Sequence, residues 1–130
     1  MKNSKIFLRT AIIYVRDYLK ESLSTYNLNE QEDLIVNHTS VNGYRILEVF
    51  REKNKSAKSF NRPQFQEMIE YIRTNKWKIK FLIVVDAKRL STDHAGLQKF
   101  RHFLKRNRIG LISIADSMSR DAGKQAKQPL

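Results

Sequence analysis

The sequence has no cysteine among its 130 residues, which excludes a disulfide framework, thiolate catalysis and any zinc or iron–sulfur site built on cysteine. Glycine and proline are scarce, with 4 and 2 residues, so neither a collagen-like nor a proline-rich low-complexity chain is indicated. No apolar run approaches the roughly 20 residues that a membrane-spanning helix needs. The basic N-terminus is followed by an apolar stretch that arginines interrupt, so we expect a cytoplasmic protein without a signal peptide.

Negative charge is also in short supply, because 25 Lys and Arg stand against 13 Asp and Glu, a net charge of +12 at pH 7. Positive potential over much of a surface attracts polyanions. Nucleic acid is therefore the first candidate partner, followed by an acidic membrane or an acidic protein. A solvated cationic surface with no specific partner has the same composition, so charge by itself leaves the choice open. Hydrophobic residues make up 41% of the chain, which is enough for the core of one compact domain.

Apolar segments rich in β-branched residues predict four buried strands. These segments lie at residues 10–15, 45–50, 79–85 and 111–114. The third is the strongest, and its second half is apolar on both faces, as in the centre of a sheet that is covered on both sides.

Segments with apolar residues at helical spacing separate the predicted strands. The first has Asn27 or Asn29 as its cap and ends before a turn at Asn42-Gly43. The second follows Asn61-Arg62-Pro63, since an asparagine cap with proline in the first turn favours a helix start. The third covers residues 93–106.

The alternation of strands and helices is the βαβ pattern. It predicts a three-layer α/β/α fold around a mostly parallel sheet of four to five strands. We assign residues 1–116 to this domain and residues 117–130, which lack periodicity, to a flexible basic tail. The polar residues 51–59 are predicted to form a mobile loop between the second strand and the second helix.

Cationic residues follow three of the predicted strands at their carboxyl ends, where ligands bind to parallel sheets. Arg16 follows the first strand, Arg62 the second, and Lys88 and Arg89 the third. Guanidinium groups bind phosphate through two parallel hydrogen bonds. The pattern therefore predicts a phosphate-binding site, with ordinary solvated loops as the alternative.

Trp77, the single tryptophan, stands between Lys76 and Lys78 directly before the third strand. We interpret it as a packed anchor for that strand. Stacking on a nucleic-acid base is the alternative.

Short motifs follow one another in a distinctive order along residues 8–116. They are Tyr14-Val15-Arg16, Asn61-Arg62-Pro63-Gln64-Phe65 and Lys88-Arg89-Leu90-Ser91. In this order they resemble the catalytic domain of serine site-specific recombinases, the resolvase/invertase family, and within it the large serine integrases of mobile elements.

The resemblance implies a resolvase-like fold and an enzyme that exchanges DNA strands by transesterification, in which a serine hydroxyl attacks a phosphodiester and forms a 5′-phosphoserine link. It implies that Arg16, Arg62 and Arg89 neutralise the phosphate and that Gln31 supports them. It also implies no metal and no cofactor. The implied partners are DNA and either further copies of the chain in a homo-oligomer or other recombinase subunits.

The chain departs from the family pattern at the nucleophile, because Tyr18 stands where the serine is expected, two residues after Arg16. Lys88 takes the place of the aspartate in the Asp-Arg-Leu-Ser-Arg motif, and Thr92 that of its last arginine. A phenol with a pKa of about 10 is a weak nucleophile unless cations such as Lys88 lower that pKa. We expect a recombinase relative with impaired strand cleavage. The alternative is a non-catalytic DNA-binding or recombinase-interacting regulatory module.

Overall fold

The structure, a computed structural model, describes residues 9–18, 26–54, 62–91 and 93–115. Strands and helices alternate along the chain. In order they are β1 (Thr10–Tyr18), α1 (Leu28–Asn42), β2 (Arg45–Asn54), α2 (Pro63–Asn75), β3 (Phe81–Val84), α3 (His94–Arg106) and β4 (Gly110–Ser113). Short 3-10 turns at Lys76–Lys78 and Ala87–Arg89 precede and follow β3.

The four strands described form one parallel sheet in the order β2-β1-β3-β4. Strand β1 lies inside the sheet, and its even-numbered residues face α2 and α3 while its odd-numbered residues face α1. Ile12 packs in one buried cluster with Met68 and Phe100, and Ile13 packs in the other with Ile35. The predicted three-layer α/β/α fold with a parallel sheet is therefore confirmed.

Helix α1 has the termini that the sequence indicates. The Asn27 side chain accepts a hydrogen bond from the Glu30 amide at 2.8 Å, and the Glu30 carboxylate accepts one from the Asn27 amide at 2.9 Å. This reciprocal capping box confirms Asn27 as the cap, whereas Asn29 lies inside the helix. Gly43 ends the helix with a φ of 74°, a left-handed conformation that glycine adopts without steric cost.

The prediction of a loop over residues 51–59 is wrong for its first part, because β2 continues to Asn54. Residues 55–59 lie outside the described part of the chain. The polar composition misled the sequence interpretation, since strand alternation exposes Arg51 and buries Glu52. The exposed Arg51 pairs with Glu32 of α1 at 2.6 Å.

The N-cap of α2 differs from the predicted one. Pro63 is the first helical residue, as expected, but the residue at the N-cap position is Arg62, whose side chain caps nothing. Asn61, the predicted cap, lies outside the described residues. At α3, Asp93 caps the helix by accepting a hydrogen bond from the Gly96 amide at 3.1 Å.

Two further expectations concern the surface and the C-terminus. Trp77 is 74% exposed, so its interpretation as a packed anchor is wrong. The apolar residue that fills the core before β3 is Ile79, two positions later.

Residues 117–130, predicted as a flexible tail, lie outside the described residues. Within residues 9–18, 26–54, 62–91 and 93–115, no helix combines the length and apolarity needed to cross a membrane.

Candidate functional site: an arginine cluster at the carboxyl edge of the sheet

Three arginines from separate segments meet at the carboxyl edge of the sheet. Arg16 lies near the end of β1, Arg62 directly before α2, and Arg89 in the turn after β3. A guanidinium N–H of Arg89 donates to the backbone carbonyl of Arg16 at 3.1 Å. A guanidinium N–H of Arg62 donates to the backbone carbonyl of Arg89, also at 3.1 Å. We call these three residues the arginine cluster.

The members of the cluster differ in burial. Arg16 is 1% exposed and Arg89 is 2% exposed, whereas Arg62 is half-buried. Charged side chains are rarely buried this deeply unless they serve a structural network or a site. Arg62 is therefore the member most accessible from solvent.

The guanidinium of Arg62 is held in one orientation. One nitrogen donates to the carbonyl of Leu90 at 2.7 Å, and the other donates to the hydroxyl of Tyr14 at 3.0 Å. Its central carbon lies 4.0 Å from the ring centroid of Phe65, a cation–π contact. A planar fork fixed in this way loses little entropy when it binds an anion.

Glu52 is a residue of this site that the sequence analysis missed. Its carboxylate is 2% exposed and accepts hydrogen bonds from the Tyr14 hydroxyl at 3.2 Å and from the Phe65 amide at 2.8 Å. The Gln64 amide donates to its other oxygen at 3.3 Å. Glu52 thus supplies the cap that α2 lacks in its own sequence. The sequence did contain a signal for the burial of Glu52, because Glu52 lies two residues after Phe50 and therefore on the same face of β2.

Burial raises the pKa of the Tyr14 phenol above its usual value near 10, and this outweighs the opposing effect of the Arg62 charge and hydrogen bond. The hydroxyl is therefore neutral at physiological pH. Tyr14 acts as a bridge between Arg62 and Glu52, not as an activated nucleophile.

The raised pKa of Tyr14 predicts a loss of stability in alkali. An unfolded phenol ionises near pH 10, whereas the folded one keeps its proton to higher pH. The folded state therefore binds more protons above about pH 10, and its free energy of unfolding falls as pH rises further. We expect the free energies of unfolding of the wild type and of Tyr14→Phe, measured by urea denaturation at a series of pH values, to converge above about pH 10. A difference between the two that does not change with pH would contradict the raised pKa of Tyr14.

Gln31 of α1 holds the backbone of Arg16 from the opposite face of the sheet. Its side-chain oxygen accepts a hydrogen bond from the Arg16 amide at 3.1 Å, and its side-chain nitrogen donates to the Arg16 carbonyl at 2.7 Å. The same nitrogen donates to the carbonyl of Tyr26 at 3.0 Å. Gln31 is fully buried, so these bonds fix the position from which the Arg16 side chain leaves the strand.

The other predicted site residues are Lys88 and Tyr18. Lys88 is exposed, on the same turn as Arg89. The carboxylate that pairs with Arg89 comes from Asp86, at 3.5 Å, a second residue that the sequence analysis missed. Tyr18 is the last residue of β1, in register with Asn54, and its side chain lies outside the described part of the chain.

The electrostatics of the site favour an anion. Among the described residues, Asp86 pairs with Arg89, and Glu52 accepts from the Tyr14 hydroxyl and the amides at the start of α2, so the guanidinium of Arg62 has no carboxylate partner there. In the described ranges, no three His, Asp or Glu side chains come together as a metal site. The arrangement can hold a phosphate and neutralise charge that develops on it.

A groove of about 470 Å³ lies elsewhere, between β2 and α2. Its wall carries three glutamates, Glu48, Glu67 and Glu70, and the pKa of its Tyr71 is raised by burial and by the charge of Glu48. Carboxylates repel phosphate, so the size of this groove does not make it the anion site.

Solved structures share this fold. The N-terminal catalytic domain of TP901-1 integrase is 21% identical with a TM-score of 0.71, over 84% of this chain and 80% of that one. A resolvase family site-specific recombinase from Streptococcus pneumoniae is 24% identical with a TM-score of 0.71, over 83% and 73%. The C-terminal catalytic domain of ISC1926 TnpA, an IS607-like serine recombinase, is 16% identical with a TM-score of 0.67, over 81% and 67%.

No curated protein matches the chain significantly, but a protein family does, and it agrees with the structural neighbours. The family described as "Resolvase, N terminal domain" matches residues 11–128, which is most of the chain. Because this match includes every strand and helix described above apart from Thr10, the first residue of β1, the chain belongs to the resolvase N-terminal domain family.

Proposed function

We propose that the chain acts on DNA in site-specific recombination and that the arginine cluster holds a phosphate of the DNA backbone. Membership of the resolvase N-terminal domain family supports the role in recombination. The net charge of +12 supports DNA as the partner.

One observation carries the proposal. Arg16, Arg62 and Arg89 reach the same edge of the sheet from three separate segments and are linked through backbone carbonyls at 3.1 Å. The backbone carbonyls of Arg89 and Arg16 accept from the guanidinium groups of Arg62 and Arg89, and because a carbonyl is neutral these bonds leave the positive charge in place. Arg89 is also paired with the Asp86 carboxylate at 3.5 Å. The cluster is thus organised before a phosphate arrives.

Strand cleavage by this domain is impaired in our proposal. Tyr18 stands at the position of the family's serine nucleophile. Tyr14, a tyrosine of the same strand whose side chain is described, has a raised pKa, and its hydroxyl is engaged by Arg62 and Glu52. A protonated phenol attacks a phosphodiester poorly.

A second candidate is a non-catalytic module that binds DNA or regulates other recombinase subunits, as a partner in a homo-oligomer or a mixed assembly. The burial of Arg16 and Arg89 favours it, since 1% and 2% exposure leave Arg62 as the main contact with a ligand. Such a module retains phosphate binding and makes no covalent link.

A cleavage assay separates the two candidates. The chain is incubated with duplex DNA, and covalent protein–DNA adducts are trapped by denaturation. A slow adduct that Tyr18→Phe abolishes supports the impaired enzyme with Tyr18 as its nucleophile. No adduct, together with salt-sensitive retention of DNA, supports the non-catalytic module. Binding that does not change with salt contradicts both.

We expect Arg62→Ala to weaken DNA binding about tenfold, because one phosphate contact is lost at a partly desolvated site. Arg62→Lys should recover part of the affinity, since it keeps the charge without the planar fork. Binding is measured by fluorescence anisotropy at two salt concentrations, with circular dichroism to verify folding. Arg101→Ala, at an exposed arginine of α3, is the matched control and should bind like the wild type. Equal losses of DNA affinity in Arg62→Ala and Arg101→Ala would contradict a specific role of Arg62.

A further inference from the structure

The edge of the sheet opposite the arginine cluster carries a separate band of positive charge. All four strands are parallel, so their starts lie along this amino-terminal edge. Exposed cations occupy these starts and the segments that lead into them. They are Arg9, Arg45, Lys76, Lys78, Lys80, Lys105, Arg106 and Arg108. We call this set the cationic rim.

Backbone hydrogen bonds show that the rim is continuous across the sheet. The Arg45 amide donates to the carbonyl of Arg9 at 2.9 Å, and the Lys80 amide donates to the carbonyl of Thr10 at 3.0 Å. The Gly110 amide donates to the carbonyl of Lys80 at 2.9 Å. With neighbouring strands about 4.8 Å apart, the four strand starts span about 14 Å.

The described segments of the rim carry no acidic side chain of their own. The segments that form it, residues 9–10, 44–45, 76–80 and 105–110, contain neither aspartate nor glutamate. Five carboxylates belong to strand ends or helix starts, which lie at the opposite, carboxyl edge: Asp17, Glu30, Glu52, Asp86 and Asp93. The C-termini of α1, α2 and α3 all lead into this edge and, at about half a negative charge each, offset only part of the charge of the eight cations.

Trp77 stands inside the rim and is 74% exposed. The Lys78 ammonium lies 5.3 Å from its ring centroid. A tryptophan of this exposure gains nothing from the core, and a ring surrounded by cations is the arrangement that stacks on a base while phosphates bind beside it.

Arg108 adds an independent observation. It occupies the left-handed position after α3 with a φ of 59°. Its amide donates to the carbonyl of Lys105 at 3.0 Å, and the Ile109 amide donates to that of Leu104 at 2.9 Å. This Schellman motif favours glycine, and a non-glycine residue costs about 1 kcal/mol there. The cation is therefore carried at a position where it lowers stability.

We propose that the cationic rim is a second nucleic-acid surface and that it binds single-stranded DNA, with the lysines and arginines on phosphates and Trp77 stacked on an unpaired base. Unpaired bases offer a free face to an aromatic ring, whereas those of a duplex are stacked on one another. An acidic membrane also attracts tryptophan and lysine. It is the less favoured partner because the exposed large apolar side chains among the described residues are few: Val36, Val41 and Trp77.

Trp77 is the only tryptophan of the chain, so intrinsic fluorescence reports on the rim directly. The full chain is titrated with oligothymidylate and with a duplex of equal length. We expect stronger quenching by the single strand and an affinity that falls with salt. Trp77→Ala should lower the affinity for the single strand at least fivefold, measured by anisotropy of a labelled oligonucleotide, and leave duplex binding unchanged.

Charge-reversal variants distinguish binding at the cationic rim from the electrostatic attraction of DNA to the whole basic surface. Lys80→Glu should weaken single-strand binding several-fold and reduce its salt dependence. Lys99→Glu, the same change at an exposed lysine of α3, is the control and should have a much smaller effect. Equal effects of the two reversals would overturn the proposal.

Two other outcomes are informative. Vesicles of phosphatidylserine that shift Trp77 emission while oligothymidylate does not would replace the proposal with a membrane contact. Arg62→Ala should leave the quenching unchanged, because Arg62 lies at the opposite edge. A loss of quenching in Arg62→Ala would place single-strand binding at the arginine cluster and overturn the role of the rim. Loss of duplex binding in that variant concerns only the proposed recombination function.

Discussion

Glu52→Ala is expected to lower the free energy of unfolding by about 3 kcal/mol, because removing a buried hydrogen-bonded carboxylate leaves its donors unsatisfied. The Tyr14 hydroxyl and the amides of Gln64 and Phe65 lose their acceptor together. The start of α2 also loses its only cap among the described contacts, and Arg62 loses the support of Tyr14. The measurement is urea denaturation followed by circular dichroism.

Glu48→Ala provides the matched control, since Glu48 lies on the same strand and is exposed. It should change stability by less than about 0.5 kcal/mol. Glu52→Gln keeps an acceptor oxygen for the Phe65 amide and should lie between the two alanine variants. If Glu52→Ala were as stable as Glu48→Ala, the carboxylate would not hold α2 in place.

The second large effect is expected at Gln31. Gln31→Leu fills a similar volume but cannot hydrogen bond, so the Arg16 amide and the Tyr26 carbonyl are left buried without this partner. The Arg16 carbonyl loses the bond from Gln31 and keeps the one from Arg89. At about 1 kcal/mol for each of these bonds, the free energy of unfolding should fall by about 3 kcal/mol.

Gln31→Leu should also weaken DNA binding, because the two bonds that position the Arg16 backbone from α1 are lost. Gln98→Leu, at an exposed glutamine of α3, is the control for a change of glutamine to leucine and should affect neither property. A Gln31→Leu variant of unchanged stability would show that water or another group replaces the glutamine.

Much of the fold could be predicted because the signals are local. Alternating strand and helix patterns predicted the parallel α/β/α sheet. Asn27 and Pro63 mark helix starts through contacts within a single turn. The motifs around Arg16, Arg62 and Arg89 predicted the family. Each of these inferences needs only residues that are near one another in the chain, or the order of short motifs along it.

The role of Glu52 could not be predicted from the residues near it in the chain. Its neighbours Arg51 and Lys53 suggested a loop, and only the pairing of β2 with β1 places Glu52 opposite Arg16 on a covered face. The exposure of Trp77 likewise depends on which element packs beside it, and none of the described ones does.

The sequence by itself determined the succession of strands and helices, the family and the identity of the cations at each end of the strands, because these follow from spacing and residue type. Tertiary structure alone decided that the guanidinium groups of Arg62 and Arg89 bond to the backbone carbonyls of Arg89 and Arg16, that a strand glutamate caps a distant helix, and that eight cations form one rim. The physical reason is that such contacts join residues far apart in the chain, and parallel pairing of the sheet brings them together only when the whole domain has folded.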